Sequence, residues 1–70
     1  MSDNVYAISH IAGSSSNSLE DAIQGAIKTA ARRLKNLDWF EVSEIRGHIA
    51  DGAVGHYQVV LKVGFRYEEK

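Results

Sequence analysis

LDWFEVSEIRGHIADGAVGHYQVVLKVGFR, residues 37–66, decides how this chain folds. At its centre, Asp51-Gly52 divides two runs rich in β-branched and aromatic residues. A two-residue loop of type I′ needs positive φ at both positions, and Asp-Gly meets that demand well, so the stretch predicts a β-hairpin. With that turn, opposed residues sum to 103. Phe40 then meets Val63, Val42 meets Leu61, Trp39 meets Gly64, Glu41 meets Lys62 and Ile45 meets Gln58. The register sorts the hairpin into two faces. One carries Phe40, Val42, Tyr57, Val59, Leu61, Val63 and Phe65. The other carries Trp39, Glu41, Ser43, Ile45, His56, Gln58, Val60, Lys62 and Arg66. That second face is too apolar at Trp39, Ile45 and Val60 for free water and too polar for a dry core. It reads as an interface or a binding surface, and the only tryptophan lies on it. A large aromatic so placed is either an interface residue or a stacking platform for a planar ligand. Gly64 opposite would leave the indole flank open.

Upstream, the pattern changes from period two to period 3.6. Leu19, Ala22, Ile23, Ala26, Ile27, Ala30 and Leu34 form one stripe, which predicts a helix over 18–36. Ser18 with Asp21 three residues on resembles a capping box. Glu20 and Asp21 suit the positive end of the helix, while Lys28, Arg32, Arg33 and Lys35 suit the negative end. Before it, Val5 to Ala12 reads as a strand ending at Gly13, and GSSSNS (13–18) as a loop. The chain is therefore expected to be one domain over 1–70, of α+β class, ordered strand, helix, strand, strand.

Composition narrows the function classes. Seventy residues, 44% apolar and 24% charged, form a core that buries only roughly 60% of the unfolded surface. Small domains make up that deficit with disulfides, metals or oligomerisation. There is no cysteine, and His10, His48 and His56 lack ligand spacing, so self-association is expected and no metal site. A net charge of −1 offers no basic field for nucleic acid. No run approaches the ~20 apolar residues of a membrane span, and MSDNVYAISH lacks a signal-peptide core, so a cytoplasmic location is expected. Nothing resembles a nucleophile–base pair, a carboxylate dyad or a phosphate loop, and an enzyme is not expected. Glu41 opposite Lys62 reads as a plain cross-strand pair.

The helix, DWFEV (38–42), IRGHI (45–49) and YQVVLKVGFR (57–66), in this order and at these separations, resemble the dodecin family over nearly the whole chain. Ser14 stands where many members carry threonine. The resemblance implies a β-α-β-β subunit whose three-stranded antiparallel sheet, in order 1-3-2, wraps one helix. It also implies a hollow shell of twelve subunits with cubic 23 symmetry. Dodecins bind FMN, riboflavin or lumichrome in pairs at two-fold axes, between tryptophans of symmetry-related subunits, and they store the flavin and quench its photochemistry. By motif, Trp39 would be the stacking residue and Gln58 would bond the polar edge of the isoalloxazine. Arg46 and Arg66 would be candidates for phosphate contacts, and Glu44 would lie near the ribityl chain. His48 falls in the same neighbourhood.

One inference belongs to the residues themselves. Trp39 opposes Gly64, and Gln58 lies six residues further along that strand. At ~3.4 Å per residue the two are roughly 20 Å apart, too far for one ring to touch both within a subunit. If both serve one flavin, they come from different subunits. Competing readings are a structural shell without flavin and a carrier of coenzyme A, which some bacterial members bind, or of another nucleotide.

Overall fold

The computed structural model describes residues 4–67; Met1–Asp3 and Glu68–Lys70, at the ends of the expected domain, lie outside the described residues. Strand β1 (Tyr6–Ser15), helix α1 (Leu19–Ala30), strand β2 (Leu37–Ala50) and strand β3 (Ala53–Arg66) follow in that order. They form one antiparallel sheet in the order β1-β3-β2. The β-α-β-β, α+β architecture is thus the one expected.

Asp51 and Gly52 sit at φ 53° and 75°, the two positive values that a type I′ turn requires. The register it launches is not uniform. Ala50 opposes Ala53, and Trp39 opposes Gly64, both as expected. Between them the pairing slips by one: Glu44 opposes Val60, Ile45 opposes Val59 and Arg46 opposes Gln58. Register shifts at Val42/Glu44 and at His48/Ile49 open and close this offset. The first leaves Ser43 as the extra residue on β2, and the second leaves Gly55 as the extra one on β3. Because side chains alternate with period two, one slip moves every residue between the bulges to the opposite face. Ile45 therefore belongs to the face of Phe40 and Val42, not to that of Trp39. Glu44, Arg46 and His48 move the other way.

Strand β1 reaches beyond the predicted end at Gly13, because Gly13, Ser14 and Ser15 pair with Val59, Gln58 and Tyr57. The central strand supplies backbone partners whatever the side chains are. Ser15 is buried at the strand end and organises the helix start. Its Oγ accepts the Asn17 N–H at 2.9 Å and donates to the Asp21 carboxylate at 2.8 Å. Ser18 caps the helix as expected, its Oγ accepting the Asp21 N–H at 3.0 Å. The reciprocal half of the capping box is not made. Asp21 is held by Ser15, and the Ser18 N–H donates to Ser15 Oγ at 3.4 Å.

Helix α1 stops at Ala30 rather than near residue 36. The Arg32 N–H turns to the Thr29 carbonyl (3.2 Å) and the Arg33 N–H to that of Ala30 (3.0 Å), bonds that tighten the last turn. Asn36 at φ 64° then turns the chain into β2. Leu34 keeps the apolar spacing after the helix has ended, so periodicity overruns the boundary. Of the four basic residues assigned to the helix end, only Lys28 lies within the last turn.

Ala22, Val59, Leu61 and Val63 are buried, with Ile11, Leu19, Ile23, Ala26, Ile27 and Leu37 packed around them. The helix approaches β1 closely: a Cβ on Gly13 would collide with the Ala22 carbonyl and the Ala26 methyl. Its backbone lies over β1 and β3, and no Cα of α1 comes within 8 Å of a Cα of β2. Phe40 and Val42, on the apolar face of the hairpin, are accordingly 48% and 37% exposed.

Candidate functional site

The other face of the sheet, turned away from α1, is read off the strand register row by row, because directly opposed residues share a face. Near one end lies the row Trp39, Gly64, Ile8, with Arg66 and Tyr6 beyond it. Next come Glu41, Lys62, His10, then Glu44, Val60, Ala12. Then come Arg46, Gln58, Ser14, and last His48 with His56. All five residues singled out from the sequence (Trp39, Gln58, Arg46, Arg66 and Glu44) therefore stand on this one face. For Glu44 and Arg46 the bulge at Ser43 is what puts them there. Without it they would point with Phe40 and Val42.

The five fall into two groups. Trp39 and Arg66 occupy one end of β3's span, and Gln58, Arg46 and Glu44 lie towards the other. Gly64 and Gln58 are six residues apart on a regular stretch of β3, so the groups are roughly 20 Å apart. The separation expected from the sequence holds, although Gln58 now opposes Arg46 rather than Ile45.

At the first group, the Trp39 side chain lies over Gly64. A Cβ built on Gly64 would overlap indole atoms Cε2, Cζ2 and Nε1. The indole is thus folded across the central strand instead of having an open flank there, and Gly64 is buried beneath it. Trp39 nevertheless keeps 40% of its surface exposed. An aromatic surface held against the backbone on one side and open on the other suits stacking with a planar partner.

The second group borders a cleft of about 370 Å³ lined by Ser14, Gly47, His48, His56 and Gln58. The His48 and His56 rings stand across from one another, centroids 6.4 Å apart and tilted by 53°. Arg46 Nη2 donates to Glu44 Oε1, the only ion pair among the described residues. Glu41 and Lys62 face each other without forming the expected pair. Both members of the Arg46–Glu44 pair are more than half exposed, so the contact orients the guanidinium more than it stabilises the fold. Ser14 is a cleft residue that sequence reasoning assigned to a loop. Its signal was hidden because only β3's reach, not β1's own composition, extends the strand so far. Among the described residues no group of three or more acidic or histidine side chains could hold a metal ion. None of their helices is long and apolar enough to cross a membrane.

A planar ligand with a polar edge would use an aromatic surface for its ring and donors and acceptors for its edge. Within one copy only Arg66 stands at the indole's end of the face, and the cluster of Gln58, Ser14 and Arg46 lies roughly 20 Å away.

Comparison with known proteins bears on the family and the fold. A family model described as Dodecin matches residues 5–68. A dodecin of Thermus thermophilus is 54% identical over 65 residues, which are 93% of this chain and 94% of that protein. The crystal structure of a T. thermophilus protein superimposes with a TM-score of 0.92 at 51% identity, covering 97% of this chain and all of the other. Dodecin from Streptomyces coelicolor superimposes over the whole of both chains, with a TM-score of 0.92 at 44% identity.

Proposed function

The chain belongs to the dodecin family, and from that premise we propose that it is a flavin-binding storage protein rather than an enzyme. It sequesters FMN, riboflavin or a related flavin such as lumichrome between Trp39 side chains of neighbouring subunits, and it quenches the ring's photochemistry. The assembly is a homododecamer, and the compartment is the cytoplasm. Gln58 bonds the polar edge of the ring, Arg66 and Arg46 are the phosphate contacts, and Glu44 orients Arg46 near the ribityl chain.

The observation that carries this reading is the split of the outer face. Trp39, half open to its surroundings, lies roughly 20 Å from Gln58 and Arg46 on the same sheet face. Such a face completes one ligand site only when a second copy lays its polar cluster beside the first copy's indole. Self-association has its own support. The helix-facing side of β2 leaves Phe40, Val42 and Ile45 partly exposed, and the subunit extends 55 × 20 × 14 Å. Its accessible surface is 5467 Å² against about 4,300 Å² for a compact monomer of 7.7 kDa. Surface of that kind is covered by neighbours in a stable protein.

A second reading rests on the cleft at Ser14, His48, His56 and Gln58. Its polar lining beside Arg46 suits the phosphates of coenzyme A or another nucleotide. Denaturing the purified protein and identifying what it releases separates the readings. Released flavin, with FMN fluorescence quenched on re-addition to the refolded protein, is expected. Release of a nucleotide alone, with no quenching of added FMN or riboflavin, would favour the second. Release of neither, again without quenching, would leave an oligomer with a purely structural role.

A further inference from the structure

We propose that Gly64 is a positioning residue for the indole of Trp39: the side chain it lacks is the seat that fixes where the indole lies on the sheet. The ligand half of the idea rests on the flavin reading above; the seat itself does not. Gly64 lies in the central strand, where both neighbours pair with it in register, Ile8 on β1 and Trp39 on β2. A glycine inside a central strand weakens it, because it adds backbone entropy to the unfolded chain and packs no side chain. Its neighbours on β3, Val63 and Phe65, follow the apolar pattern that favours a strand.

The compensation is visible in space. Gly64 is buried although it contributes no side chain, and the group that buries it is the Trp39 indole. Cε2, Cζ2 and Nε1 fill the place of the missing Cβ, so alanine, the smallest alternative, cannot be added without moving the ring. The atoms in the way belong to a rigid bicycle with two torsions, not to the tip of a flexible chain. Relief requires the whole indole to rotate off β3. Gly25 and Gly52, by contrast, have open space where a Cβ would go. The indole's outer surface is the part offered to a stacking partner, so its angle and height above the sheet are set by the glycine beneath it.

Trp39 is the only tryptophan, so circular dichroism and fluorescence at wavelengths beyond tyrosine absorption report this one ring without any ligand. Gly64→Ala is expected to change both signals in the flavin-free protein and to weaken FMN at least tenfold, approaching the loss in Trp39→Ala. In a Trp39→Ala background the same glycine change is expected to alter FMN affinity less than threefold, since no ring remains to be displaced. Unchanged indole spectra in Gly64→Ala would overturn the proposal. So would an equal loss of affinity with and without the tryptophan, because the effect would then come from the strand. If Gly64→Ala does not fold, the double variant decides: folding restored by removing the indole supports the seat, and continued failure overturns it. Shifted indole spectra in a protein whose parent binds no flavin would uphold the seat while refuting the ligand reading.

Discussion

Val42 and Leu61 are cross-strand partners of nearly the same chemistry, yet Leu61 is wholly buried and Val42 is 37% exposed. The contrast extends along both strands. β3 carries Val59, Leu61 and Val63 under α1, whereas every residue of β2 except Leu37 is exposed. The cause lies in the helix, whose Cα atoms come within 8 Å of those of β1 and β3 and of none of β2. One half of the sheet therefore supplies the subunit's own core. The other half presents Phe40, Val42 and Ile45 to whatever lies alongside.

The widest gap between the halves should be in subunit stability. Leu61→Ala empties a fully buried site and should remove ~2–5 kcal/mol, enough to unfold so small a domain outside its assembly. Val42→Ala should remove well under half of that, read by denaturant unfolding of both variants. Equal losses would mean that neighbours bury Val42 in the assembly as fully as the subunit itself buries Leu61.

Assembly should respond in the opposite sense. Phe40→Asp places a charge on the uncovered side of β2 and should break the dodecamer into small species by sedimentation. The parent should sediment as a dodecamer. A parent that is a folded monomer at micromolar concentration would remove the need for a partner face.

Smaller still is the effect at the helix start. Ser18→Ala deletes the acceptor for the Asp21 N–H and should reduce thermal stability by ~1 kcal/mol. The weakest expected difference separates the arginines. Arg66→Ala should weaken FMN more than riboflavin, by about 1 kcal/mol or less, and the difference should shrink with salt. Arg46→Ala should discriminate less, because Glu44 already engages that guanidinium. Identical losses for both flavins would assign both arginines to structural roles.

The fold was legible where the chain carries local chemistry. Asp51-Gly52 supplies its own positive φ values, and Ser18 caps the helix with its own hydroxyl. Two bulges were not legible, because each cancels the other. Hairpin arithmetic is right at Ala50↔Ala53 and Ile49↔Val54 and again from Val42 to Trp39, and one residue out between, from Glu44 to His48. A trace was present all the same. A uniform register turns Glu44 and Arg46 towards the helix and Ile45 towards the polar face, and an extra residue at Ser43 repairs all three at once. The helix end was lost because Leu34 continues the stripe through a turn whose hydrogen bonds leave no compositional mark. For the candidate site, Trp39 and Gln58 stand out by motif, and their separation follows from strand geometry. The packing of the indole on Gly64 needed coordinates, since a glycine opposite a tryptophan is compatible with either an open flank or a filled seat.

The claim that most depends on this division of labour is that the exposed Trp39 surface stacks on flavin in the assembled protein. Fluorescence titration of FMN into parent and Trp39→Ala tests it directly. The parent should quench bound FMN almost completely. The variant should keep its assembly, lose ~1–3 kcal/mol of binding for each stacked ring face, which over the two faces of the flavin pair is more than tenfold in affinity, and let residual bound flavin fluoresce. A Trp39→Ala protein that binds FMN as tightly as the parent and quenches it equally would contradict the account.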